Sequence, residues 1–317
     1  MNTTESQIEK KLIYPSPFHL EEGWNICIEN QNKNCTHNEI DQLTMKGLLS
    51  YTDFEILKLL AACRYVNTHN LEFALRQSLP ECYLKSDYQR NLRKLVHAGL
   101  LLKHCLCLHT ETREHMDIVS PLRFYSLSPG ACSYIEPLVE SPCLFRGALP
   151  DYAVMEHLAS SQLLIRFQAS YEHAIKACYR NVRKKVGVHD FVLDALIRYL
   201  SRIGESSQSV TLFLLCGRSH TESTKSLISR IHLLFRWLER HHGQYGQYMI
   251  IILLEHFKEI PNIFHNVAAH NIGFFHYPLY FALDTDLLAF PLFECLYRCS
   301  DDGSSDKCMI DRVQITL

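Results

Sequence analysis

A chain of 317 residues with 47% hydrophobic content is long enough for two ordinary domains and apolar enough to give each a core. A formal net charge of −2 excludes a uniformly basic nucleic-acid coat protein, so any nucleic-acid contact has to come from local patches. The 13 cysteines are odd in number and irregularly spaced, and Met1–Lys11 is polar rather than an apolar leader, which favours a reducing cytosol over a secreted disulfide framework.

Residues 1–43 are rich in Asn, Glu and Lys, with Trp24–Ile28 as an extended apolar cluster, and read as a flexible N-terminal arm. Residues 44–132 read as a winged helix-turn-helix DNA-binding domain. Thr52 is placed to cap a first helix carrying Ile56, Leu59, Leu60 and Cys63 at helical spacing, and a short second helix is predicted over Leu71–Gln77. Ser86 would cap a third helix with Tyr88, Leu92, Leu95 and Val96 on its apolar face, ending at Gly99, the residue type that most readily turns left-handed after a helix. An apolar strand at Leu100–Leu108, a polar turn at His109–Met116 and a strand around Arg123–Leu127 complete a two-stranded wing.

The outward face of the third helix offers Lys85, Gln89, Arg90, Arg93 and Lys94, and Arg113 lies on the wing turn; these donors suit phosphates and base edges of double-stranded DNA. Residues 45–130 hold 11 Lys/Arg against 8 Asp/Glu, an excess that favours nucleic acid without being strong.

A linker with Pro137, Pro142 and Pro150 spans residues 133–150, and an α/β domain is expected over residues 151–317. Its pattern gives a helix over Asp151–Ala169, then strands at His173–Tyr179, Val188–Ile197 and Val210–Cys216. A long amphipathic helix opens with the capping-box spacing of Ser219 and Glu222 and buries Leu227, Ile228, Ile231, Leu234, Phe235 and Leu238. A buried strand at Gln247–Glu255, a helix at Ile260–Ala269, a strand at Ile272–His276 and a last helix at Thr285–Cys299 follow. Met249–Leu254, the longest apolar stretch, falls far short of the ~20 residues of a membrane span, so a soluble, cytoplasmic protein with no membrane contact is expected.

Five basic residues within ten positions, Lys176, Arg180, Arg183, Lys184 and Lys185, are candidate phosphate contacts that would lengthen a DNA footprint. Neither Cys105 with Cys107 nor Cys295 with Cys299 has zinc-knuckle spacing, so these cysteines read as small buried hydrophobes, with no metal or cofactor expected.

The order of a helix, three strands, a long helix and a strand, preceded by a winged helix, resembles the plasmid replication-relaxation family of bacterial mobile-element proteins. The similarity covers roughly residues 44–289 and rests on Tyr125–Gly130 closing the wing, the helix around Met155–Phe167, His189-Asp190-Phe191-Val192, Phe213–Arg218 before the long helix, and Tyr248–Glu255. It implies a restriction-endonuclease-like fold for the second domain. Nucleases of that fold hold Mg²⁺ between an Asp on one strand and an acid-x-Lys on the next. The resemblance puts Asp190 at the first position, whereas the second falls on Leu215, followed by Cys216 and Gly217. Asp190 is then a vestigial nuclease position, no catalytic residue remains, and Arg218 is left as a phosphate contact; Glu156, Asp194, Glu222 and Glu255 are carboxylates that a relocated site would use.

The function these observations imply is a DNA-binding accessory protein of a plasmid or integrative element, acting in replication, relaxation or mobilisation with replication or relaxase proteins as partners. Alternatives are an active metal-dependent nuclease, which needs a second acid near Asp190, and a transcriptional regulator or interaction scaffold.

Overall fold

Trp24–Ile28 (β1) is a strand and not part of a loose arm: it pairs antiparallel with Leu101–Leu108 (β3), Trp24 opposite Leu108 and Ile28 opposite His104. The computed structural model describes residues 16–29, 34–79, 85–108, 117–140, 149–203, 206–270, 277–301 and 308–315. The protein is a mixed α/β chain, and it divides into an N-terminal unit, residues 20–165, and a C-terminal unit that joins residues 1–19 to 166–317. The expected boundary in a 133–150 linker is therefore corrected. Pro129–Ile135 and Glu136–Leu138 are helical turns, and the division falls inside a helix at Ile165 and Arg166.

In the N-terminal unit, helix starts are set by side chains that accept the first free N–H groups. Helix α1, His37–Met45, absent from the sequence reading, is opened by a capping box between Thr36 and Glu39. Helix α2, Tyr51–Cys63, is capped by Ser50 with Asp53 in the reciprocal role; the expected cap Thr52 lies inside the first turn. Helix α3, Thr68–Ser78, begins earlier than predicted because Asn67 accepts the N–H of Asn70. Helix α4, Lys85–His97, already contains Ser86, so Ser86 is not its cap.

Gly99 ends α4 with φ +76° as the sequence implies. Its N–H reaches the Val96 carbonyl at 3.1 Å and the Leu100 N–H reaches that of Leu95 at 3.0 Å, a Schellman pair that turns the chain into β3. Strand β3 then pairs with Asp117–Leu127 (β4), and β4 with the two-residue strand Val66–Asn67 (β2), in sheet order β1-β3-β4-β2. Ser128 caps a short helix α5, Pro129–Ile135, with proline in its first turn. Ile56, Leu57, Leu60, Leu71, Leu92, Leu95, Leu100 and Leu101 form the core between the helices and this sheet.

Helix α6, Asp151–Tyr171, carries the chain from one unit to the next. Its N-terminal part belongs to the first core, where Ser161 donates to the Cys63 carbonyl at 3.2 Å. Its last residues start the C-terminal unit, where Phe167 meets Tyr199 and Phe293 edge-on.

The strands of that unit are Ile175–Val186 (β5), His189–Ile203 (β6), Ser206–Cys216 (β7), Gln247–Leu254 (β8), Leu279–Leu283 (β9), Leu296–Asp301 (β10) and Cys308–Val313 (β11). They lie in sequence order across one sheet. β5, β6 and β7 form an antiparallel meander, β8 and β9 run parallel to β7, and β9, β10 and β11 are antiparallel neighbours. Parallel neighbours need crossovers. These are helix α7, Thr221–Tyr245, between β7 and β8, and helix α8, Glu259–His270, between β8 and β9. Both helices cover one face, where Phe213, Leu215, Ile250, Ile252 and Phe281 meet Leu227, Ile231, Leu234, Ile260 and Val267.

Two expectations for this unit are corrected and a third falls outside the described residues. Residues 285–299 hold two single 3-10 turns, Asp286–Leu288 and Leu292–Glu294, and most of β10 instead of a helix, with Pro291 between the turns unable to continue one. The strand placed at residues 272–276 lies outside the described residues; the next described strand is β9, Leu279–Leu283. Helix α7 is capped by His220, whose ring accepts the Glu222 N–H, and not by Ser219. Among the described residues no helix is long and apolar enough to cross a membrane. Cys107 is disulfide-bonded to Cys27 across the β1–β3 pair, which corrects its reading as a free buried thiol.

One buried histidine gives the N-terminal unit a pH dependence. His104 on β3 stacks on Phe124, its Nε2 2.9 Å from Ser126 Oγ, and burial pushes its imidazole down to about 4. The folded state thus refuses a proton that the unfolded chain accepts from pH 6.5 downward, so this stabilisation is whole above pH 6.5 and is lost as pH falls toward 4. At ~1.4 kcal/mol per pH unit the loss across that window is about 3 kcal/mol. His104→Phe should flatten urea-unfolding stability between those pH values relative to the parent; parallel profiles would reject the role given to His104.

Candidate functional site

Helix α4 separates its residues cleanly by side. Tyr88, Leu92 and Leu95 are buried, whereas Gln89, Arg90 and Arg93 are exposed, and Arg90 makes a surface contact of 3.4 Å with Asp87. Lys94, expected on the same outward face, is committed elsewhere. Its ammonium pairs with the fully buried Asp53 and donates to the Leu48 carbonyl at 3.2 Å, so it ties α4 to the start of α2 and is corrected from DNA contact to structural anchor. Only the helical backbone of Lys85 is described, and Arg113 lies outside the described residues. Two further basic groups of the small sheet are also neutralised internally: Lys103 and Arg123 meet Glu29 at 2.5 and 2.7 Å.

The run Lys176, Arg180, Arg183, Lys184 and Lys185 lies on β5, at the sheet edge. Lysine and arginine on an edge strand discourage pairing with another chain, which is a sufficient reason for their presence there. Lys176, Arg183 and Lys185 are exposed, while the Lys184 ammonium sits 4.7 Å over the Trp237 ring.

Asp190 is exposed in the hairpin joining β5 and β6, opposite Lys185. The buried acid of β6 is Asp194, next to Ala195, which pairs with Leu214. Asp194 accepts the Cys216 N–H at 2.8 Å and pairs with Arg230 at 2.9 Å, so its charge is used in holding the strand end to α7. Glu222 is exposed beside Lys225, and Glu156 belongs to α6 in the N-terminal unit. These positions do not assemble a carboxylate pair around Asp190.

What the C-terminal unit does assemble is a charged cluster where β7, β8 and β9 end, the place where open α/β sheets bind ligands. The parallel strands deliver Cys216 and Arg218, Glu255 and His256, and Asp284 to one edge, and the segment Ser16–His19 adds Ser16 and His19. A Cβ at Gly217 would come within 2.5 Å of Leu227 Cδ2, so α7 packs directly onto bare backbone there. The Arg218 N–H donates to Ser223 Oγ at 2.8 Å, fixing the strand end to the first turn of α7.

Arg218 is 4% exposed and is thereby corrected as a phosphate contact. Its guanidinium donates to Asp284, which also accepts from Ser16 Oγ at 2.7 Å, and lies 3.4 Å from Cys216 Sγ. Burial works to remove its proton, but Cys216, Asp284 and Glu255 outweigh that and hold it charged more firmly than an ordinary arginine. Burial raises the Asp284 carboxyl, an effect that Arg218 and Ser16 offset only in part.

Glu255 is 3% exposed. Oε2 accepts the Ser219 N–H at 2.9 Å, while Oε1 faces the His19 Nδ1 and lies 3.6 Å from His256 Nε2. Burial would raise its pKa, yet Arg218, the Ser219 N–H and His19 together hold it below the usual carboxylate range. Ser219 Oγ donates to Glu259, which also accepts the His256 N–H at 3.2 Å.

Sequence reasoning reached Arg218 and Glu255 but missed His19, His256 and Asp284. The available signal was positional: an acid followed by histidine immediately after the apolar run Met249–Leu254 and just before a helix. His19 carried no such signal, being 236 residues from its partner.

Comparison with family models, with curated proteins and with solved structures gives no match.

The ion pair at this edge is costly to break because Arg218 would keep its charge in a buried site. Asp284→Ala should lower stability by about 3–5 kcal/mol, the range for removing one partner of a buried pair. The double variant Arg218→Met with Asp284→Leu should lose less. Thermal and denaturant melts decide it, and a stable single variant would show that solvent reaches Arg218.

Proposed function

We propose that the chain is a DNA-binding accessory protein of a bacterial plasmid or integrative element, in which α2, α3, α4 and the β3–β4 pair act as a winged helix-turn-helix. The observation that carries this reading is the exposed row Gln89, Arg90 and Arg93 on α4, opposite the buried Tyr88, Leu92 and Leu95. A helix anchored on its apolar side and presenting amide and guanidinium donors on the other is suited to a major groove.

On this reading the C-terminal unit is a restriction-endonuclease-like fold without its cleavage site. Its meander β5-β6-β7, the crossover α7 and the parallel strand β8, preceded by α6, support that reading. The commitment of Asp194 to Cys216 and Arg230, and Leu215 in place of an acid on β7, support a loss of Mg²⁺-dependent hydrolysis. Association with replication or relaxase proteins is part of the proposal.

The test is the salt dependence of binding to duplex DNA. If Arg90 and Arg93 each neutralise a phosphate, changing both to Ala should flatten the log K against log[salt] slope by about 2, at ~0.9 per contact. Lys94→Ala should leave the slope unchanged while lowering stability by about 2 kcal/mol, since it removes a hydrogen bond between charged groups. A slope insensitive to Arg90 and Arg93, or one that falls with Lys94 alone, rejects this face. In the same preparations Mg²⁺ or Mn²⁺ should leave plasmid and linear DNA intact; cleavage abolished by Asp194→Asn would restore the nuclease reading.

A further inference from the structure

The edge of the C-terminal unit carries a donor set that DNA contact does not use. His19, Glu255 and His256 each offer one ligand atom, and these atoms all lie within 4.8 Å of one another, so a single ion among them reaches all three. We propose that His19, Glu255 and His256 form a binding site for a first-row divalent transition cation, with Zn²⁺ as the best-matched ion.

The chemistry of the donors selects the class of ion. Mg²⁺ and Ca²⁺ prefer oxygen ligands, whereas two imidazoles and a carboxylate suit Zn²⁺ and its neighbours. Three protein ligands leave a tetrahedral ion one position for water, the arrangement of exchangeable and not closed structural sites.

The surroundings hold the set in place. The Ser219 N–H occupies Glu255 Oε2 at 2.9 Å and leaves Oε1 facing both rings. Glu259 takes the backbone N–H of His256 at 3.2 Å and the Ser219 hydroxyl, which ties the segment after β8 to the segment after β7. The Ser219 N–H on the Glu255 carboxylate is an outer partner of the kind that orients a metal ligand. Arg218 stands near Glu255 and is itself paired with Asp284. The side chains of His19 and His256 are 33% and 25% exposed while that of Glu255 is 2% exposed, so the rings form an entry from solvent above a buried anion. A simple His19–Glu255 hydrogen bond does not account for His256, whose Nε2 turns to the same oxygen at 3.6 Å, beyond hydrogen-bonding distance.

The experiment uses the full chain stripped with a chelator and titrated with Co²⁺, whose visible d–d band reports tetrahedral nitrogen and oxygen ligation. One equivalent should produce the band, Zn²⁺ should displace it, and Mg²⁺ should not. His19→Ala leaves the Ser219–Glu255 and Arg218–Asp284 contacts intact, so folding is preserved, and it should weaken Co²⁺ binding by more than about tenfold, at least the loss typical of an outer-shell partner. His256→Ala should do the same, with far-UV circular dichroism unchanged in both. The proposal is overturned if the His19→Ala, His256→Ala double variant binds Co²⁺ like the parent. It is equally overturned if the parent gives no band, or if the band carries thiolate-to-metal charge transfer, which would assign the ion to cysteines. DNA binding through α4 is measured separately and does not depend on this result.

Discussion

A buried guanidinium sets the terms for the C-terminal unit. Taking Arg218 out of water is unfavourable by several kcal/mol unless its charge is matched and its donors are met. The match comes from Asp284, two strands away in the sheet, and Asp284 in turn takes a hydroxyl from Ser16. The ends of β7 and β9 and a segment from the other end of the chain are therefore fixed by one charge balance. Gly217 lets α7 close over it, Ser223 fastens the first turn, and Glu255 stands near enough to feel the positive charge. The arrangement of groups at this edge follows from that pair.

The N-terminal unit solves a smaller version of the same problem. Asp53 is needed as the reciprocal acid of the α2 capping box, yet it is completely buried, and Lys94 from α4 supplies the compensating charge. A lysine spent in this way sets the position of α4 against α2 and leaves the outer side of the helix to Gln89, Arg90 and Arg93. Glu29 plays a comparable part for Lys103 and Arg123 on the small sheet. The local positive excess in the sequence is thus smaller on the surface than the composition implies.

Elements whose pattern is self-contained were legible from the residues. The stripe from Leu227 to Leu238 marks α7, the unbroken apolar run of β8 marks a strand buried on both faces, and Gly99 marks the end of α4. Elements that depend on distant partners were not. β1 acquires its identity from β3, and the 3-10 turns before β10 keep an apolar spacing that imitates a helix until Pro291 interrupts it. The same limit governed the site. Composition shows that Lys94 and Arg218 are charged but not that Asp53 and Asp284 meet them, and nothing local in Ser16–His19 connects it with the end of β8.

The C-terminal unit is discontinuous in sequence, since Ser16–His19 belongs with residues 166–317 and the N-terminal unit is inserted between them. Ser16 and Asp284 are separated by 268 residues. During synthesis the first of these emerges long before the second, so the strand-end cluster closes only after the inserted unit has been made. Closing a long loop costs entropy that grows only slowly with length but delays the contact, which makes this the late step of assembly. Cutting the chain before residue 151 to isolate the second domain would leave Asp284 without its serine and Glu255 without His19, so the fragment would be a different molecule at its most charged edge.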